Sequence, residues 1–266
     1  MAEKWLIFVD TNIFLDFYRM SGGEAAKKQI AFINNNSQYL ITTDLVKMEF
    51  LKNRQKIILD TLKEVKQDIQ HKQLPPILLD TNIASATKTI TNNYNKQKNK
   101  TQSYVEKILH NPTTKDDVYK CVQKFSSKSE LFLDIQSDIG KDIILKARHR
   151  WELGYPPRKN SDTSINDAVN WEWILNCTKK HNANVVIVTR DEDYGAKHNH
   201  IMYLNDLLAK EFSQKNGTRK KIHITQKLSE AMKRLNVSVT KEIRDAEIQI
   251  ISSHSSSASI SETSLL

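Results

Sequence analysis

Acidic residues stand at places where this chain leaves one apolar run or enters a new helix. Asp10 directly follows the run Trp5 to Val9, in Phe8-Val9-Asp10-Thr11-Asn12. Asp167 comes in Ile165-Asn166-Asp167-Ala168, and Asp191 and Asp193 follow a second run in Val188-Thr189-Arg190-Asp191-Glu192-Asp193-Tyr194. Glu49 adds a further acid, in Leu45-Val46-Lys47-Met48-Glu49-Phe50. Carboxylates brought together repel one another and cost stability unless a cation neutralises them. Oxygen-only donors select hard ions, so the cofactor these acids predict is Mg2+ or Mn2+. An ion so held polarises a phosphate oxygen and lowers the pKa of a bound water, which is the chemistry of phosphodiester hydrolysis. None of the eight histidines stands in these motifs.

The elements that must position the acids alternate between strand and helix. Trp5 to Val9 reads as a strand buried on both faces, and a short helix is expected over 24–33. A second strand is expected over 39–43, and Thr43 or Asp44 then caps a helix carrying Glu49. A helix over 165–180, a β-branched strand over 185–188, a last strand over 201–204 and a helix from Asp206 follow. This order predicts an α/β sheet joined by crossovers rather than hairpins. In such sheets ligands bind at the carboxyl ends of the strands. Asp10, Asp191 and Asp193 leave strand ends, while Glu49 and Asp167 sit in early helical turns, so four or five of these acids are expected to converge on one crevice. Taken singly, each has an ordinary role: a cap, a turn former, a dipole partner or a solvated helix residue. Their joint order is what favours a site.

The same placement gives neighbouring residues a part. Asn12 and Thr189 are expected to hydrogen-bond and orient the acids. Arg158, Lys159 and Arg190 lie beside the crevice, where they would hold flanking phosphates. Trp171 and Trp173 read as core residues rather than stacking platforms.

Between the two halves of this pattern lies a long Lys- and Gln-rich helical stretch. The organisation expected is a domain over 1–212, with its core in 1–54 and 150–212 and a helical insert over about 55–149. A basic C-terminal extension over 213–250 and a Ser-rich disordered tail over 251–266 complete it. Leu79-Asp80-Thr81-Asn82 echoes residues 10–12, but without a comparable strand before it the echo reads as coincidence.

Lys and Arg number 40 against 31 Asp and Glu, for a net charge of +9, which favours a polyanionic partner. Nucleic acid is the expected one, since no basic amphipathic helix with an aromatic face suggests a membrane. Two distant cysteines, Cys121 and Cys177, exclude a disulfide scaffold and fit a reducing compartment. With no signal peptide and no membrane-length apolar run, a cytoplasmic protein is expected.

These motifs resemble those of the PIN-domain nucleases, the family named after the PilT N-terminus. Phe8 to Leu15 is similar to the family's first motif, Glu49 falls where the second acid is expected, Asp167-Ala168 resembles the third, and Val188 to Tyr194 the fourth. Gly154 to Lys159 and on through Glu172 is similar to a larger PIN-like subgroup of unknown function. The resemblance spans roughly 5–54 and 150–212, and the long insert is its departure from the pattern. It implies an α/β/α sandwich around a central parallel sheet and Mg2+- or Mn2+-dependent endonucleolytic hydrolysis of RNA, sometimes DNA. Asp10, Glu49 and Asp167 would be metal ligands or metal-water partners, with either Asp191 or Asp193 as the fourth acid. A homodimer and an inhibitory or regulatory protein partner are also within the family's habits. The alternative reading is a catalytically inactive module that binds nucleic acid or protein. An aspartyl-nucleophile phosphatase is disfavoured because Asn12 stands where a second acid is needed.

Overall fold

The apolar run before Asp10 forms β1 (Trp5–Val9), buried along its whole length as a parallel strand covered on both faces must be. It pairs in parallel with β2 (Leu40–Thr43), Ile7 lying opposite Leu40, and β2 pairs with the two-residue β3 (Phe132–Leu133). On its other side β1 pairs with β4 (Asn184–Val188), Ile7 opposite Val186 and Val9 opposite Val188. The strands β5 (Gly195–His198) and β6 (Ile201–Leu204) pair only with each other, antiparallel, before β7 (Ile222–Thr225) returns to the edge of the sheet beside β4. The result is a five-stranded parallel sheet in the order β3-β2-β1-β4-β7. This computed structural model describes residues 3–66, 82–125, 129–158, 164–199 and 201–263.

Helices cover both faces. The helices are α1 (Thr11–Asp16), α2 (Gly23–Asn35), α3 (Asp44–Lys66), α4 (Asn82–His110), α5 (Pro112–Lys115) and α6 (Asp117–Gln123), then α7 (Asp138–Glu152), α8 (Asn166–His181), α9 (Asp206–Asn216), α10 (Leu228–Arg234) and α11 (Lys241–Thr263). α10 packs on β1, β4 and α2, and α11 packs on α2. α8 packs on β2 and is flanked by α7 and α9. The architecture is therefore the expected α/β/α sandwich. α8 is buried without a break from Ala168 to Leu175, so it reads in sequence as an apolar helix rather than an amphipathic one. It ends on Asn182 in the left-handed region (φ 49°), which closes its last carbonyls. No helix among the described residues is long and apolar enough to cross a membrane.

Three expectations change. Residues 201–204 do form a strand, but in a hairpin outside the main sheet rather than through a crossover. Gly195 permits that hairpin, because a side chain there would meet the Tyr203 carbonyl at 1.9 Å. The fifth strand is β7, inside the stretch that composition marked as a basic extension. Four residues among lysines are too short a signal to read, yet Ile224 is buried and hydrogen bonds tie β7 to β4. Finally, α11 runs to Thr263, into the Ser-rich stretch expected to be a disordered tail. Its first half is anchored by buried Ile243, Ala246, Glu247, Ile250 and Ile251.

The chain divides into two compact units, 1–52 with 121–266, and 53–120. The second unit is thus shorter than the 55–149 insert read from composition, because β3 and α7 belong with the sheet. Within it Arg54 is almost wholly buried. Its Nη2 lies 2.6 Å from Asp116, and the guanidinium also donates to the Ile108 carbonyl and faces the Tyr119 ring. Asp116 in turn accepts from the Tyr119 amide at 2.9 Å, capping α6. Asp80 and Thr81 of the echoed motif lie outside the described residues.

Candidate active site

Asp10 leaves the carboxyl end of β1 with its amide bonded to the Val188 carbonyl at 3.0 Å, so β4 fixes where it emerges. It is 4% exposed and caps α1 by accepting from the Thr11 amide at 2.7 Å. Its other oxygen accepts from the Thr189 hydroxyl at 2.6 Å and the Asn12 amide at 3.0 Å. Asn12 and Thr189 both therefore contact the acid they were expected to orient. Thr189 also accepts from the Asp191 amide at 3.0 Å, and Asn12 accepts from the Arg190 amide at 3.1 Å. One hydroxyl and one carboxamide thus tie the end of β1 to the loop after β4.

The other acids approach from three directions. Glu49, on the second turn of α3, accepts from the Thr11 hydroxyl at 3.4 Å. Asp167 lies in the first turn of α8, and Asp191 and Asp193 lie in the loop that leads to β5. All four are half-buried. Burial first, then the charges of Asp191 and Glu49, push the Asp10 carboxyl up to about 7, against the hydrogen bonds from Thr189 and Thr11. Beneath them Tyr194 is fully buried, and its hydroxyl donates to the Asp167 carbonyl at 3.5 Å. Burial, then the carboxylates of Asp167, Asp10, Asp193 and Asp191, hold that hydroxyl well above its usual range, so Tyr194 stays neutral. The five acids share one electrostatic neighbourhood.

Spacing and charge give different answers about a metal. Among the described residues no three metal-ligating groups are spaced to hold an ion as they stand. The charge, however, asks for a cation: a carboxylate lifted to about 7 by burial and then by its acidic neighbours is one that a divalent ion would return to the ionised form. Mg2+ commonly takes only one or two carboxylates, keeps several waters and draws its remaining ligands from substrate phosphate. The hard-oxygen donors around Asp10 fit that mode of binding.

The expected phosphate holders separate. Arg158 is exposed and lies over the Trp151 ring, 4.9 Å from its centroid. Lys159 lies outside the described residues. Arg190 turns inward: its side chain is 8% exposed and its Nε lies 2.9 Å from Asp16, itself 1% exposed. Asn12 holds the Arg190 backbone amide, and Asp16 holds the Arg190 side chain through Nε, turned away from solvent. Trp171 and Trp173 are buried, as expected, and donate to Glu211 and to the Leu131 carbonyl.

The cap of α3 was legible in the sequence, but the contact that links it to α8 was not. Thr43 caps α3 through the Val46 amide and donates to buried Asn170 at 2.8 Å. That bond joins the helix bearing Glu49 to the helix bearing Asp167. A buried Asn in an apolar helix was the only mark it left. Both cysteines are free and buried, and burial pushes the Cys121 thiol up to about 12, which removes it as a nucleophile.

The sequence model of the PIN domain matches residues 7–194, from β1 to Tyr194. No curated protein and no solved structure matches the chain.

Proposed function

The chain belongs to the PIN-domain family, whose members are generally nucleases, and from that membership we propose that it is a divalent-metal-dependent endonuclease acting on RNA. The observation that carries the reading is the state of Asp10: held at the end of β1 by Thr189 and Asn12, and raised by burial first and then by the charges of Asp191 and Glu49. A fold does not keep a buried acid facing other acids for stability, because apolar or neutral groups would be cheaper there. The net charge of +9 supports a polyanionic substrate, and RNA over DNA rests on the family.

Asp10 and Asp191 are the proposed metal ligands, with Glu49, Asp167 and Asp193 completing the rim. A bound Mg2+ or Mn2+ would neutralise charge on the scissile phosphate and acidify an attacking water. The protein's own part is geometric and electrostatic. Thr189 and Asn12 hold the Asp10 carboxylate in one rotamer, so no reorganisation is needed when the phosphate arrives. Tyr194 seals the floor against water with its ring and remains protonated. Glu49 and Asp167, half-exposed at the edge, are placed to accept protons from ordered water.

The direct test is cleavage of end-labelled single-stranded RNA and DNA in Mn2+, Mg2+ or EDTA. Cutting is expected only with metal, and loss is expected in Asp167→Asn as well as in Asp10 variants. If wild type and Asp167→Asn leave identical traces with every metal, the acids are not catalytic and the inactive binding module becomes the better reading.

Thr189→Val removes one hydroxyl with little change in shape. It is expected to lower kcat about 10- to 100-fold, the scale on which groups behind metal ligands act. The metal concentration for half-maximal activity should rise with it. A variant that loses only thermal stability, with an unchanged metal titration, would limit Thr189 to a structural role.

A further inference from the structure

A hollow of about 590 Å3 opens between α7, the turn after it, α8 and α9. Its rim holds three apolar side chains that a soluble surface would ordinarily cover: Leu153, Tyr155 and Leu207, at 59%, 49% and 52% exposed. Its wall holds two carboxylates, Glu172 and Glu211, and both are already engaged. Buried Arg150 donates to Glu172 at 2.9 and 2.6 Å and also to Glu211. Glu211 accepts from Trp171 at 2.9 Å and pairs with Lys215 at 2.8 Å. The remaining cations are free of that network. Among the described residues Lys210 has no carboxylate partner, and Lys146 pairs with solvent-facing Asp142. A second hollow of about 280 Å3 continues along α7 and α8, shares Lys146 and Lys215, and adds Lys179.

An exposed aromatic ring beside a furrow of solvent-facing lysines is the pattern that grips single-stranded nucleic acid: a base on the ring and the backbone along the charges. Its location points the same way. Glu172 lies five residues along α8 from Asp167, roughly 7.5 Å at the rise of a helix. The Trp171 ring between them lies 6.4 Å from the ring of Tyr194, the floor of the acid site. A strand with its scissile phosphate at Asp10 and Asp167 would reach the hollow within a nucleotide or two.

We propose that this hollow is a nucleotide-binding subsite for single-stranded RNA, in which a base flanking the cleaved bond packs on Tyr155 between Leu153 and Leu207 and its phosphates run along Lys210, Lys146 and Lys179. The proposal rests on the nuclease reading for its place along the strand, but it can be tested without catalysis.

Fluorescein-labelled single-stranded RNA oligomers of increasing length are titrated in EDTA with the full chain. The variants are Tyr155→Ala, Lys210→Gln and, as a control on the acid site, Asp10→Asn. Tyr155 and Lys210 are exposed, so neither change threatens the fold. Tyr155→Ala should weaken binding about tenfold. Lys210→Gln should weaken it about threefold and flatten its salt dependence. Asp10→Asn should bind at least as tightly as wild type. In metal, the first two should raise KM and leave kcat at saturating RNA unchanged. If binding follows this pattern while no metal supports cleavage, the nuclease reading falls and the subsite stands. If both variants bind as wild type does, or wild type binds no RNA, the subsite is overturned whatever the cleavage result.

Discussion

Asp10→Asn is expected to abolish metal-dependent cleavage and, in EDTA at pH 8, to raise the melting temperature. The two effects have one cause. The folded protein holds a buried carboxyl at about 7, roughly three units above its ordinary value. At about 1.4 kcal/mol per unit, keeping it ionised costs the fold a few kcal/mol. The sign follows from proton binding. Between about pH 4 and 7 the folded state holds a proton there that the unfolded chain has released, so the group lowers stability as pH rises. The cost is complete above the folded value and absent below the unfolded one. The replacing carboxamide keeps an acceptor for the Thr11 amide and can turn its NH2 toward Thr189, whose hydroxyl also accepts. Some of the gain is lost in that exchange, leaving a rise of roughly 5 °C at pH 8 and none near pH 4. Mg2+ should stabilise wild type by neutralising a charge that the Asp10→Asn variant lacks, and should move the variant little. Melting curves at several pH values, with and without Mg2+, measure all of this. A variant that melts lower than wild type at pH 8 in EDTA would mean that Asp10 is a structural cap, and the metal reading would lose its main support.

The parts of the molecule that were readable from sequence were those with strong one-dimensional signals. Trp5 to Val9 and Val185 to Val188 are continuous apolar runs, and a strand buried on both faces has no other way to look. An acid at or soon after the end of such a run could be assigned to the carboxyl end of the sheet, where Asp10, Asp191 and Asp193 lie. What escaped was information spread across space. β7 is four residues long and becomes a strand because β4 offers it an open edge beside Val185 to Val188. The Thr43–Asn170 bond spans 127 positions, and nothing local to either residue announces the other. Arg190 was misjudged for a related reason. A basic residue beside a catalytic loop looks like a phosphate holder until the buried Asp16, 174 positions earlier, is found against it.

That pairing carries the second large effect. Arg190→Met is expected to destabilise the protein by about 3 kcal/mol or more, the cost of leaving one partner of a buried ion pair uncompensated. Asp16 would keep Arg19 at 3.4 Å, a partner more open to solvent. The strain would also reach the far layer. Glu247 of α11 is raised by burial, and the hydrogen bonds of Ser229 together with the charge of Arg190 work against that rise. Its carboxylate accepts from the Ser229 amide and the Gln29 side chain, both at 2.8 Å. The residues behind the acid site thus include a helix beyond the 7–194 span that the family pattern covers. Urea melts of Arg190→Met, Asp16→Asn and the double variant test the pairing. The double variant should recover at least ~1 kcal/mol relative to the sum of the singles. At a temperature where Arg190→Met is folded, its affinity for RNA in EDTA should stay within about twofold of wild type, since the charge removed does not face the solvent. A tenfold loss of RNA affinity with little change in stability would reverse the assignment and return Arg190 to the phosphate-binding surface.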